Sequence, residues 1–159
     1  MKLKRIGLPD NSLLLQSIMA VIPSGHTKED IKAREKIIKD FYANWIAEHP
    51  DKMIWNKDLS EFIHVKFLSI NETYEKASRS YESTFAVLQL TEILENATLA
   101  NKKPAKRNTK NQKQFEALLT MQYKNIKLTV GRQRSNQELV QYCITVPQIP
   151  EENNKAATK

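Results

Sequence analysis

The chain has a single cysteine, Cys143, and three glycines, Gly7, Gly25 and Gly131, and each shortage excludes something. One cysteine cannot form a disulfide within a chain, so the expectation is a reducing, cytoplasmic setting. Three isolated glycines cannot build a phosphate-cradling loop or a dinucleotide fingerprint. No apolar run approaches the roughly 20 residues that cross a bilayer, and no charged and apolar leader with a small-residue cleavage site opens the sequence. The expectation is therefore a soluble, non-secreted protein without a membrane partner. At 159 residues, one domain can bury roughly 70% of its unfolded surface without staples.

Catalytic and metal-binding constellations are equally sparse. His26, His49 and His64 fall on three different segments, with no second histidine or cysteine at ligand spacing. Cys143 lies in an expected strand without a histidine and a third group to activate it. A metal-dependent nuclease needs a carboxylate cluster. After Pro50 and Asp51, however, the next strand carries His64, Val65 and Lys66, with no carboxylate where one is required. The expectation is a non-enzymatic protein with no catalytic residue, no metal and no cofactor.

What is abundant is positive charge, and it is unevenly placed. Residues 1–52 carry nine positive and seven negative charges, residues 53–100 four and seven, and residues 101–159 twelve and four. The excess thus belongs to the last third. Asn101 to Gln114 reads NKKPAKRNTKNQKQ, with no apolar residue larger than alanine, and is expected to be a flexible basic loop.

That loop feeds the clearest pattern in the chain, Ala117 to Val146, which reads as a three-stranded meander. Antiparallel partners keep a constant sum of residue numbers. With Lys124 and Asn125 as a two-residue turn, Tyr123 faces Ile126, Met121 faces Leu128 and Leu119 faces Val130. The next hairpin must bring Ile126, Leu128 and Val130 against Val140, Tyr142, Ile144 or Val146, which demands a three-residue loop near Ser135, Asn136 and Gln137. One face is then apolar. The other carries Thr120, Gln122, Lys127, Thr129, Gly131, Gln133, Gln141, Cys143 and Thr145. Phe115, Leu118, Leu119 and Gln122 also fit helical spacing, so residues 117–123 admit either a strand or a helix.

Helices are expected to cover the apolar face. Met1 to Leu8 reads as an extended arm, and Asp10 or Ser12 to Ile22 as a short buried helix. Thr27 and Asp30 form a capping box for a helix ended by His49 and Pro50, with Ile31, Ile38, Phe41, Tyr42, Trp45 and Ile46 as its stripe. Asp51 to Ser60 reads as a polar connection, and Phe62 to Ile70 as a strand. Ser69 with Glu72, or Asn71, caps a long helix to about Ala100. Pro147 onward is a polar tail, frayed at 151–159.

The expected architecture is one α+β domain over residues 1–150. In it an antiparallel sheet, the C-terminal meander plus the strand at 62–70, packs against two long helices. The charge pattern points to DNA or RNA as partner, through Lys102, Lys103, Lys106, Arg107, Lys110, Lys113, Lys124, Lys127, Arg132 and Arg134. The alternative is a protein partner: an adaptor or inhibitor that meets an acidic surface, or a chain that self-associates through a sheet edge.

Overall fold

Thr27 starts the first helix in the way its sequence requires. Its Oγ1 accepts from the Asp30 N–H at 3.0 Å, and α1 runs Lys28–Glu48. His49 ends it, its N–H donating to Trp45 O and its ring stacked 4.2 Å from the Trp45 ring. Ile38, Tyr42 and Trp45 are buried as expected, but so is Arg34, whose Nε donates to Ser78 O at 2.7 Å and whose Nη1 donates to Pro23 O at 2.6 Å. The computed structural model describes residues 22–106 and 112–147. The expected N-terminal arm and most of the helix ending at Ile22, residues 107–111 of the basic loop and the tail at 151–159 lie outside the described residues.

Within them the protein is a single α+β domain with a six-stranded sheet and four helices. After α1 come β1 (Met53–Asn56), β2 (Glu61–His64), α2 (Phe67–Ala77), α3 (Tyr81–Val87), α4 (Leu90–Asn96), β3 (Thr98–Pro104), β4 (Phe115–Tyr123), β5 (Ile126–Gln133) and β6 (Leu139–Thr145). The sheet order is β1-β2-β6-β5-β4-β3. It is mixed rather than purely antiparallel, because β2 meets β6 in parallel at Ile63–Leu139 and His64–Val140.

Four expectations about the elements need correction. Asp51 to Ser60 is not a plain connection: Met53–Asn56 pairs with β2, and the Asn56 side chain closes the turn between them by accepting from Leu59 N–H at 2.7 Å. The strand expected at 62–70 ends at His64, since Ser69 Oγ accepts the Lys66 N–H and starts α2. The long helix to Ala100 is three short ones. Ser80 is extended (φ −142, ψ 157) and caps α3 through Ser83 N–H, while Thr84 Oγ1 donates to Ala77 O and Ser80 O. Asn56 Nδ2 then donates to Leu94 O and Ala97 O and stops α4, so 98–104, expected as helix end and mobile loop, becomes edge strand β3.

The first meander hairpin matches the expected register: Tyr123–Ile126, Met121–Leu128 and Leu119–Val130 are partners, and residues 117–123 are strand. The left-handed φ falls on Lys124 (56°) rather than Asn125. In the second hairpin the pairing begins as expected, with Leu128 opposite Ile144, and then slips. Tyr142 is the extra residue of a bulge, after which Val130 faces Gln141 and Gly131 faces Val140.

The slip exchanges faces, so Gln141 turns toward the helices and Val140 turns away. Buried under the helices are Ile38, Tyr42, Ile63, Leu90, Ile93, Leu94, Met121, Leu128, Val130 and Ile144. On the opposite face Ala105, Phe115, Leu118, Val140 and Tyr142 form a second, smaller apolar cluster. The sheet face expected to be open is thus partly packed.

Candidate functional site

The cations singled out by sequence divide into groups once the sheet is assembled. β3 is the outermost strand and each of its residues is exposed. Lys102 lies opposite Leu119 and Lys103 opposite Leu118, so the alternation sends Lys102 to the helix-covered face and Lys103 to the other. Lys106 follows, exposed, with its N–H donating to Gln112 Oε1. Lys113 is exposed in the turn before β4, and its carbonyl accepts from Arg134 Nε at 3.0 Å. Lys102, Lys103, Lys106 and Lys113 make no ion pair among the described residues. Arg107 and Lys110 lie outside the described residues.

The other three of the ten belong elsewhere. Arg132 points to the helix-covered side, where Nη2 meets Glu61 Oε1 at 3.1 Å and Nη1 donates to Gln137 O. Its charge is already matched, which makes it structural. Lys124, at the tip of the first hairpin, and Lys127, opposite Gln122, are exposed at the far end of β4 from Lys113. At ~3.4 Å per residue, the strand separates Lys113 from Lys124 by roughly 30 Å, and the level of Lys103, opposite Leu118, from that of Lys127, opposite Gln122, by roughly 14 Å. The structure therefore gathers Lys102, Lys103, Lys106, Lys113 and Arg134 along one edge and end of the sheet, and sets Lys124 and Lys127 apart.

The sheet face opposite the main core differs from the Thr- and Gln-rich surface expected. Phe115 reaches it through a bulge at the start of β4 and lies over Gly131, where an added Cβ would sit 2.6 Å from Phe115 Cδ1. That close approach is why the strand carries a glycine here. Leu68 and Cys143 pack at the margin of the cluster. Burial pushes up both the Cys143 thiol and the Tyr142 hydroxyl, so the cysteine stays protonated near neutral pH. Lys76 beside them is partly desolvated, which works against its charge. The hydrogen bond and charge of Glu72 at 2.9 Å outweigh this and hold its ammonium above the usual lysine range.

Sequence reading passed over one feature of this face. Trp55 and Phe62 are direct cross-strand partners, with ring centroids 5.0 Å apart and planes at 78°, and they remain 47% and 43% exposed. Their neighbours Ile54 and Ile63 point into the helix-covered core, so the aromatic pair shares the opposite face with Val140. Phe67, at the first position of α2, is 77% exposed. Beside the pair, Lys66 Nζ donates to Glu138 Oε1 at 2.8 Å and Gln133 Oε1 at 3.0 Å, and His64 Nε2 lies 4.0 Å from Glu138 Oε2. The Lys66 hydrogen bond holds the Glu138 carboxyl below its usual range. Only the presence of Trp55 as a lone aromatic in a polar stretch hinted at this; Phe62 fell in the strand expected at 62–70, but the strand that carries Trp55 was expected as a connection.

Elsewhere, α3 and the first hairpin enclose a groove of about 200 Å³ lined by Tyr81, Phe85, Lys124, Ile126 and Val146. Among the described residues no group of three or more His, Cys, Asp or Glu is placed to hold a metal. No helix of theirs is long and apolar enough to cross a membrane.

Compared with known proteins, the chain is similar to the family described as Large polyvalent protein-associated domain 3, which matches over residues 33–142, from the second turn of α1 to the bulge in β6. The comparisons with curated proteins and with solved structures each gave no match.

Proposed function

The chain belongs to the Large polyvalent protein-associated domain 3 family, and we propose that this domain is a non-enzymatic, nucleic-acid-associated module that grips the phosphate backbone through the cationic edge of its sheet. The observation that carries this is β3. It is an exposed outermost strand presenting Lys102 and Lys103, followed by Lys106 and flanked by Lys113, all free of ion pairs among the described residues. Unpaired lysines on a sheet edge form a row of point charges, and phosphate contacts of this kind dominate sequence-independent binding. The name of the family associates it with large polyvalent proteins. With Cys143 as its one thiol, we place it in the reducing cytoplasm.

Fluorescence-anisotropy titration of duplex DNA, single-stranded DNA and RNA at two salt concentrations tests the reading. Binding is expected to fall steeply with salt and to weaken for all three when Lys102, Lys103, Lys106 and Arg107 are changed together to Gln. Unchanged affinity refutes the placement. A second reading, a protein partner, is favoured by the same edge position of β3, whose outer backbone groups are available to an added strand. It predicts a mass that rises with concentration in the absence of nucleic acid, or pairing with an acidic extended segment.

A further inference from the structure

We infer that the Trp55–Phe62 pair is a base-stacking platform, which makes single-stranded nucleic acid the preferred ligand of this domain. This rests on the proposed nucleic-acid reading and narrows it. Packing alone does not account for the pair. β1 and β2 are anchored from their other faces, through Ile54 and Ile63 in the core and through Asn56 bonded to the end of α4. Trp55 and Phe62 nevertheless present nearly half their surfaces to solvent on the face opposite the main core.

The chemistry of the same face selects the occupant. Of the strand residues whose pairing places them there, Lys103 and Lys127 are charged and none is a carboxylate; the unpaired Glu116 of the β4 bulge accepts from Gln137 Nε2. At the margin, Glu138 is held by Lys66 and Glu72 by Lys76. Across the six strands, at ~4.8 Å each, roughly 24 Å separates Trp55 on β1 from Lys103 on β3. A strand of a few nucleotides passing across this side of the domain, outside the packed second cluster, places a base on the indole while its phosphates run toward Lys103 and Lys106. Bases within a duplex are stacked on each other and cannot reach the ring. Stacking contributes ~1–3 kcal/mol per base, so the preference for single strands is set by Trp55 and the common affinity by the lysines.

Tryptophan emission reads this directly. Of the two tryptophans, Trp45 is 4% exposed, stacked on His49 and bonded to Thr91, so quenching by a ligand reports Trp55. The full chain is titrated with an oligo-dT of ~12 nucleotides, within the range of known single-strand site sizes, and with a duplex of the same length and heparin. The oligo-dT is expected to quench the emission and heparin to bind without quenching. Trp55→Phe is expected to lose the quench while keeping most of the affinity, because a ring remains. Trp55→Ala with Phe62→Ala, shown by its urea-unfolding transition to be folded, should weaken oligo-dT binding about tenfold or more and leave heparin binding unchanged. Equal quenching by heparin overturns the platform, as does wild-type affinity of the double variant for oligo-dT, or a concentration-dependent dimer that the double variant abolishes. If heparin and duplex bind but oligo-dT binds no better than they do, only this inference falls. If none of the three binds, the nucleic-acid reading falls with it.

Discussion

The Tyr42 hydroxyl on α1 donates to Gln141 Oε1 on β6 at 2.8 Å, across 99 residues of sequence, and both side chains are fully buried. Gln141 Nε2 then donates to Thr73 Oγ1 on α2 at 2.7 Å, so one amide joins the sheet to two helices. A buried amide is stable only with its partners in place, because each orphaned polar group costs about 1–3 kcal/mol. Tyr42→Phe leaves Gln141 Oε1 without this donor and is expected to destabilise by about that amount in urea unfolding. Gln141→Leu in the Tyr42→Phe background should cost less than it does alone, since the two act on one network.

The same tyrosine controls alkaline stability. Burial raises the Tyr42 pKa, so the folded state keeps its proton when the unfolded chain, near an ordinary value of ~10, begins to lose it. The stabilisation is therefore complete below about pH 10 and declines as pH rises through and beyond that value. Tyr142, raised by burial in the same direction, adds to the decline. Unfolding midpoints measured from pH 8 to 11 should fall in the wild type and fall less steeply in Tyr42→Phe.

Gly131 and Phe115 are coupled by contact. Gly131→Ala drives a methyl group against the Phe115 ring, and overpacking of this kind costs about 1–3 kcal/mol. In a Phe115→Leu background, itself destabilised, the added cost of the alanine should shrink. Thermal unfolding of the four proteins in the cycle measures this, and equal costs in both backgrounds would show that the ring is not what excludes the Cβ.

Asn56 is the joint between the β1–β2 hairpin and α4. It donates to Leu94 O and Ala97 O and accepts from Leu59 N–H, all within 3.0 Å. Asn56→Ala should cost about 3 kcal/mol or more. Asn56→Asp should be worse at neutral pH, because a carboxylate then faces two carbonyl oxygens, and should recover partly as acid protonates it. Chemical unfolding at pH 7 and pH 4 separates the two variants.

The spacing of the cations bears on binding. Changing Lys102, Lys103 and Lys106 to Gln should reduce the slope of log affinity against log salt by two to three, at roughly 0.7–0.9 for each phosphate no longer neutralised. Changing Lys124 and Lys127, at the far end of β4, should leave the slope nearly unaltered. Equal effects from the two sets would mean that the ligand covers the whole length of the strand.

Local rules made much of this legible. The N-cap at Thr27 and the pairing of Leu119, Met121 and Tyr123 with Val130, Leu128 and Ile126 are decided by residues near each other in the chain, so periodicity and turn chemistry reveal them. The charge asymmetry needed only counting. The distribution of that charge over the surface did not follow, because Arg132 finds Glu61 and Arg134 finds Lys113 only after the strands are laid side by side.

What the tertiary structure alone decided were the places where distant groups compete with local preference. Ser80 and Thr84 divide an apolar run that by its spacing would be one long helix, and Asn56 halts its last segment so that Thr98–Pro104 can pair with β4. The bulge at Tyr142 reverses the faces of half a strand, burying Gln141 where Tyr42 and Thr73 satisfy it and freeing Val140 for the second cluster. The aromatic pair exists only because Met53–Asn56 meets Glu61–His64. Helix caps and tight hairpins draw their hydrogen bonds from within a few residues, whereas a bulge or a helix break is stable only once the groups that satisfy it, tens of residues away, have arrived.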